Sequence, residues 1–403
     1  MRLPIVDPTR PAATPAPPGF ETGPRSIGAV RVLRISVTDR CNFRCTYCMP
    51  AGGVRWLAKD DILSFEEIAE IVRAAIDAHG IRRFKLTGGE PTLRHGIVDL
   101  VRLLRKIPGV DDLSLTTNGA LLEDLAGPLR ESGLDRVTVS LDSLRPDRFA
   151  AITRTGDLAQ VLRGLDRAQS VGFRSLKVNC VTMRGVNDDE IPDFARLTLA
   201  RPLTVRFIEY MPLGDAALLE SGNPFVATTS PDGATRYTTH PIDPSSPHPL
   251  TPSSPPQPSA DESGPSAGCG AQSRGDVFLP ESAARERIEH DLGPLLPVDR
   301  ATEPGVGPAT VYRLAHSAGR IGFISAMSEP FCSTCNRLRL TASGVLRSCL
   351  FDGGEIDARA ILRSPLTASD RRAALAQAMT DCVALRPTVH SVHGNAQMSR
   401  IGG

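Results

Sequence analysis

Six of the nine cysteines in this chain fall in two tight groups. Cys41, Cys45 and Cys48 have the spacing C-x3-C-x2-C, directly after a β-rich run. Three thiolates on one short loop can hold three corners of a cubane iron–sulfur cluster and leave the fourth iron without a protein ligand, whereas fully ligated clusters normally use four cysteines. An iron with an open position can bind a small molecule, while a closed site can only carry electrons. Cys332, Cys335 and Cys349 form C-x2-C-x13-C towards the other end, with Cys382 as a candidate fourth ligand. Zinc loops usually pair two C-x2-C knuckles, and neither group offers a clean second pair. The odd cysteine count and this clustering argue against a secreted disulfide framework and for metal ligation in a reducing compartment.

Between the later cysteines runs Cys335-Asn-Arg337-Leu-Arg339-Leu, in which the two arginines alternate onto one face of an extended segment. Their planar, permanently charged donor forks suit phosphate, and beside a metal-binding loop they mark a phosphorylated substrate better than a solvated basic strand. Lys177 shares a strand face with Asn179, while Cys180 points the other way into packing. A lysine within an apolar strand is costly unless paired, so an anionic ligand explains it better than a core role. Gly88-Gly89 stands at a strand end, where glycine lets backbone groups approach closely.

These residues need a frame. Strand-like runs at Val32–Val37, Arg82–Thr87, Asp112–Thr117, Arg136–Leu141, Ser175–Val181 and Thr204–Glu209 alternate with amphipathic helical stretches. One helix is predicted over Phe65–His79, with Ser64 as N-cap, Glu67 completing a capping box and Gly80 closing it. Six β–α repeats imply a parallel sheet with its chemistry at the C-terminal strand ends, with a doubly wound open sheet as the alternative. The sequence divides into a flexible leader at 1–25, a barrel at 26–214, a disordered Ser/Pro-rich insert at 215–275 and a smaller C-terminal domain at 276–403. Cys269, inside the insert, reads as an unliganded thiol.

Lys plus Arg (46) nearly cancels Asp plus Glu (45), so no global field calls for nucleic acid or a membrane surface, and an anionic substrate needs a local cation cluster. The proline-rich leader lacks an apolar core for a signal peptide, and no stretch approaches the roughly 20 apolar residues of a membrane span. The expectation is a cytoplasmic protein.

Cys41-Asn-Phe-Arg-Cys45-Thr-Tyr-Cys48, with the aromatic Tyr47 before its last cysteine, resembles the radical S-adenosylmethionine signature, and Thr87-Gly88-Gly89-Glu90-Pro91 resembles the GGEP motif of the same superfamily. Arg34-Ile-Ser-Val-Thr-Asp-Arg-Cys41, Phe331-Cys-Ser-Thr-Cys-Asn-Arg-Leu-Arg-Leu340 and the terminal Gly402-Gly403 are similar to the GTP 3′,8-cyclase family of molybdenum cofactor biosynthesis. The likeness spans residues 31–211 and 277–403; the long Ser/Pro tract and the leader depart from it. The resemblance implies an α/β fold, a partly closed six-fold β/α (incomplete TIM-like) barrel with a smaller C-terminal cluster-binding domain. It implies two 4Fe–4S clusters, held by Cys41, Cys45 and Cys48 and by Cys332, Cys335 and Cys349. By the same resemblance Tyr47, Gly89, Ser140 and Met211 would contact S-adenosylmethionine. Arg34, Lys85, Thr116, Lys177, Arg337, Leu338 (through its backbone) and Arg339 would contact GTP, with Arg83 and Arg206 as further candidates. Reductive cleavage of S-adenosylmethionine would yield a 5′-deoxyadenosyl radical that takes hydrogen from the ribose C3′ of GTP, and C3′ would then close on C8, giving (8S)-3′,8-cyclo-7,8-dihydroguanosine 5′-triphosphate. Arg34, Arg337, Arg339, Gly402 and Gly403 are the expected catalytic residues, the double glycine reaching into the site. An external electron donor, cyclic pyranopterin monophosphate synthase downstream and a homodimer are the implied partners, with neither nucleic acid nor membrane. The rivals are a peptide-modifying radical enzyme with an auxiliary cluster, and a zinc-stabilised interaction protein whose Ser/Pro tract recruits partners.

Overall fold

The computed structural model of the chain describes residues 23–50, 52–213, 225–229, 235–239, 277–299, 307–351 and 354–390. In chain order its first part runs β1 (Val32–Ser36), α1 (Phe65–His79), β2 (Arg83–Thr87), α2 (Ile97–Arg105), β3 (Asp112–Thr117) and α3 (Leu122–Glu131). It continues through β4 (Arg136–Ser140), α4 (Pro146–Thr153), α5 (Leu158–Ser170), β5 (Ser175–Thr182), α6 (Ile191–Ala200) and β6 (Thr204–Glu209). β7 (Phe225–Thr229) and β8 (Thr235–Thr239) follow, then α7 (Glu281–Leu292), β9 (Leu296–Pro297), β10 (Thr310–Arg313) and β11 (Arg320–Ile324). β12 (Arg337–Leu340), β13 (Val345–Arg347), β14 (Glu355–Asp357), α8 (Ala358–Leu362) and α9 (Ala368–Ala384) complete it.

The six expected strands form within a residue of their predicted bounds, and β1 to β6 pair in parallel in sequence order. α1 forms at its predicted limits for the predicted reasons. Ser64 Oγ accepts the Glu67 amide, the Glu67 carboxylate accepts the Ser64 amide, and Gly80 ends the helix at φ 62°. The strand faces that look towards the helices are apolar: Leu33, Ile35, Phe84, Leu86, Leu113, Leu115, Val137 and Val139 are buried in one core. The opposite faces carry polar residues in register. Arg339, Arg34, Lys85 and Ser114 lie side by side across β12, β1, β2 and β3, and Thr116, Thr138 and Lys177 do so across β3, β4 and β5.

The C-terminal part is joined to the barrel through the sheet. β12 pairs in parallel with β1, and β11 pairs in parallel with β6, so the later strands extend the barrel sheet at both edges. One 12-stranded sheet results, in the order β14-β13-β12-β1-β2-β3-β4-β5-β6-β11-β10-β9, and it does not close. α9 lies on α1, where Arg371 pairs with Glu70 at 2.6 Å and His79 Nε2 meets the Ala376 carbonyl at 2.9 Å.

Two further observations concern the flanking segments. Within the tract expected to be disordered, β7 and β8 pair antiparallel; the rest of that tract, with Cys269, lies outside the described residues. The end of the expected leader is tied down, since Pro24 O accepts from Arg386 and Arg25 Nε donates to Arg386 O. The tail with Gly402 and Gly403 lies outside the described residues. Among the described residues no helix is long and apolar enough to cross a membrane.

Candidate active site

The polar faces of the strands line a cavity of about 280 Å³. Eight of its lining residues are Lys or Arg, and one, Asp142, is acidic. From β1, β2, β5 and β6 come Arg34, Lys85, Lys177 and Arg206; β12 adds Arg337 and Arg339, while its Leu338 and Leu340 turn into the core, as the alternation predicts. Arg136 and Arg386 complete the set. Crowding perturbs these groups. Burial and then the neighbouring Arg206 and Arg34 hold Lys85 well below its usual value. Arg34 falls to about 9 through burial, Arg337 and Arg206, and Arg206 to about 10 through burial and Arg136. A cavity that depresses its own cations is built for an anion. Thr116 Oγ1, Asn179 Oδ1 and Arg206 Nε are buried there without a hydrogen-bond partner among the described residues. Buried polar atoms are almost always bonded, so these fit a polar guest rather than an empty core.

Cys332, Cys335 and Cys349 stand together on the cavity wall beside Arg337. Burial raises Cys335, but Arg337 and Arg386 more than offset it and bring its thiol down to about 7. Cys382 is not with them: it is buried on α9, donates to Gly354 O and is pushed up to about 12 by burial. It is a core thiol, as is Cys180.

The first cysteine loop sits beyond the C-terminal end of β1, and Tyr47 carries it to the cavity, where Ser140 and Met211 also lie. Tyr47 donates to Asp142 Oδ2 at 2.7 Å, and the Val181 amide holds the other carboxylate oxygen at 2.8 Å. Burial lifts Asp142 to about 6. Cys45 is driven well above its usual value by burial and then by Cys48, Asp142 and Cys41. Cys45 and Cys48 share one turn, the Cys48 amide donating to Cys45 O at 3.0 Å, and bound iron would lower these thiols. Among the described residues no three His, Cys, Asp or Glu groups are set to hold a single metal ion. A cubane asks for something else, since each thiolate takes its own iron.

Gly88 and Gly89 show why the sequence needs them. A Cβ on Gly88 would stand 2.6 Å from Thr38 O, and one on Gly89 would stand 2.4 Å from Arg40 O. The Gly89 and Glu90 amides donate to Thr38 O and Arg40 O, so the glycines seat the cysteine loop on the end of β2. Gly89, Arg83 and Leu338 do not line the cavity; Leu338 is fully buried. Sequence reasoning passed over Arg136, Asp142 and Arg386. Arg136 had a signal, since it opens a strand and Asp112 is free to clamp it from the next one, as it does.

Residues 35–198 match the Radical SAM superfamily, and residues 266–392 match Molybdenum Cofactor Synthesis C. The GTP 3′,8-cyclase of Pelotomaculum thermopropionicum is 42% identical over 379 residues, covering 93% of this chain and 98% of the relative. The chain belongs to the GTP 3′,8-cyclase family. The GTP 3′,8-cyclases of Moorella thermoacetica and Geobacter sulfurreducens are 41% and 39% identical, each over 93% of this chain and over 98% and 97% of their own length. Among solved structures, Streptococcus suis SuiB bound to S-adenosylmethionine is similar at TM-score 0.39 and 19% identity, over 45% of this chain and 41% of that one. Membership makes the chain a radical S-adenosylmethionine lyase of molybdenum cofactor biosynthesis, with a 4Fe–4S cluster and S-adenosylmethionine. The peptide-modifying alternative is not favoured, since the curated relatives match nearly end to end.

Proposed function

We propose that this cavity is where GTP is closed between ribose C3′ and guanine C8, with residues 26–214 supplying the radical chemistry and residues 276–403 the second cluster. The observation that carries the reading is the juxtaposition in one cavity of eight cations, three cysteines at one wall and Tyr47 at another. Cys41, Cys45 and Cys48 would hold the cluster for S-adenosylmethionine, with Tyr47, Ser140 and Met211 at that molecule. This pair, once bound, supplies the one-electron chemistry that takes hydrogen from the substrate.

The chain's own residues do the rest. Arg34, Lys85, Lys177, Arg337 and Arg339 hold the triphosphate, and Thr116 donates or accepts alongside them. Fixing the anion fixes the ribose, and holding a reacting atom within reach can contribute on the order of 7–11 kcal/mol to lowering a barrier. Asp142 keeps Tyr47 in one orientation at the boundary between cofactor and substrate. Cys332, Cys335 and Cys349 would hold a second 4Fe–4S cluster at the substrate's side of the cavity. Gly89 is retained as a cofactor contact through the loop it seats, and Leu338 as a backbone contact. The Gly402-Gly403 tail is assigned to the site because Pro387 and His390 already line the cavity, which brings the chain to its wall before the tail begins. An external electron donor, cyclic pyranopterin monophosphate synthase as consumer of the product, and a homodimer complete the reading on the family resemblance.

The test is an anaerobic assay with dithionite, S-adenosylmethionine and GTP, run on the reconstituted protein and on the variant with Cys41, Cys45 and Cys48 all changed to Ala. Cyclised nucleotide from the former and none from the latter is expected. Cleavage of S-adenosylmethionine by the triple variant would overturn the assignment of the first site.

A further inference from the structure

Arg386 follows α9, at a place where nothing in the sequence marks it, yet it is 2% exposed and lines the cavity. Its guanidinium gathers four backbone carbonyls. Nε donates to Ser348 O at 3.1 Å, Nη1 to Pro24 O and Cys335 O at 2.6 Å each, and Nη2 to Arg337 O at 2.5 Å. Three of these belong to the segments that carry the second cysteine group. Cys335 is itself a member, Ser348 immediately precedes Cys349, and Arg337 presents its guanidinium to the cavity. A single side chain therefore fixes the spacing between the C-x2-C loop and the distant third cysteine. The Arg386 carbonyl is held in turn by Arg25 Nε at 2.7 Å.

The charge matters as much as the geometry. Among the described residues no carboxylate pairs with Arg386. A buried cation bonded only to carbonyl dipoles is costly unless an anion is near. The groups that can become negative beside it are Cys335 and Cys349, as thiolates once they hold iron, while Cys382 on α9 stays a neutral thiol; the cation facing it is Arg337. Three thiolates around a cubane are the anion that this arrangement lacks.

We propose that Arg386 is a positioning residue for the second iron–sulfur cluster, clamping its two cysteine-bearing segments and serving as the buried counter-cation of its thiolates. The inference rests on the proposed second cluster. A buried positive charge stabilises the more negative, reduced state of a neighbouring centre, so Arg386 raises that cluster's reduction potential.

The experiment compares wild type, Arg386→Met and Arg386→Lys, each anaerobically reconstituted at full length. Iron is counted, melting curves are recorded, and redox titrations are followed by electron paramagnetic resonance. Wild type should hold roughly eight irons, as two cubanes require; only about four in wild type would sink the second-cluster reading itself. With two clusters in wild type, Arg386→Met should either lose about half the iron or keep it with the second cluster's potential shifted negative, the first cluster's unchanged. Arg386→Lys, which keeps the charge with a poorer fork, should retain the iron and a potential nearer wild type. Equal iron and equal potentials in Arg386→Met and wild type would overturn the proposal. So would a lower melting temperature and loss of iron shared equally by both variants, which would make Arg386 a packing residue only.

Discussion

At the scale of single residues, the cavity is decided by charge repulsion awaiting a partner. Arg337 and Arg339 stand on one strand face with Arg34 across the register, and burial followed by Arg34 and Arg337 holds Arg339 well below its usual value. Arg337→Ala or Arg339→Ala should each weaken GTP binding by about 1.5–3 kcal/mol, roughly 10- to 150-fold, because each removes a charge-assisted contact. Reductive cleavage of S-adenosylmethionine without GTP should persist. Calorimetric titration with GTP measures the first and a methionine-release assay the second; unchanged GTP affinity in both variants would remove the phosphate assignment. Lys85 gives a pH dependence whose sign can be worked out. In the free protein it is depressed by burial and by Arg206 and Arg34. A bound triphosphate compensates those charges and raises it, so the complex holds more protons than the free protein between the two values. GTP binding should therefore take up protons, and affinity should fall as pH rises through the window below Lys85's usual 10.5. Titrations in buffers of different ionisation enthalpy read this directly, and Lys85→Met should diminish the uptake.

At the scale of elements, what was legible in the sequence is what local physics determines. The capping box at Ser64 and Glu67, the alternation of Arg337 and Arg339 with Leu338 and Leu340, and the inward face of Lys177 and Asn179 all follow from period and cap chemistry. Illegible were the contacts made through backbone. Arg386 recognises carbonyls, which every residue carries, and Gly88-Gly89 accommodates a loop from another strand, so neither leaves a pattern of its own. The seat for the cysteine loop supplies a test. Gly88→Ala puts a Cβ against Thr38 O, a backbone atom that cannot swing aside. The expected cost is about 1–3 kcal/mol, in the range of overpacked cores. The cysteine loop should shift with it, so reconstituted protein should lose first-cluster iron while the second group loads normally. Full iron and an unchanged melting temperature would mean that the seat is slack.

At the scale of the molecule, one sheet joins the two parts that composition distinguishes. A tract of Ser and Pro between two cysteine groups reads as a linker between separable domains, because composition reports on a segment and not on what its flanks pair with. In the fold, β12 completes the edge at β1 and β11 the edge at β6. Leu33, Ile35, Leu338 and Leu340 are buried along one seam, and Val205, Phe207, Ile321 and Phe323 along the other, with Phe207 stacked on Phe323 at 5.7 Å. Burying each such side chain contributes about 1.5–3 kcal/mol, so even partial loss at two seams rivals the roughly 5–15 kcal/mol that stabilises a typical domain. Removing the C-terminal part would also bare two strand edges, whose open amides and carbonyls template aggregation. Residues 26–214 expressed alone should therefore be insoluble or lack a cooperative melt, although they contain every residue of the first cluster loop. Co-expression with residues 276–403 should restore a soluble complex with one sharp transition, since the chain break would fall outside the shared sheet. Size-exclusion chromatography and melting followed by circular dichroism measure both. A soluble 26–214 fragment with its own sharp transition would show that the barrel stands without its added edges.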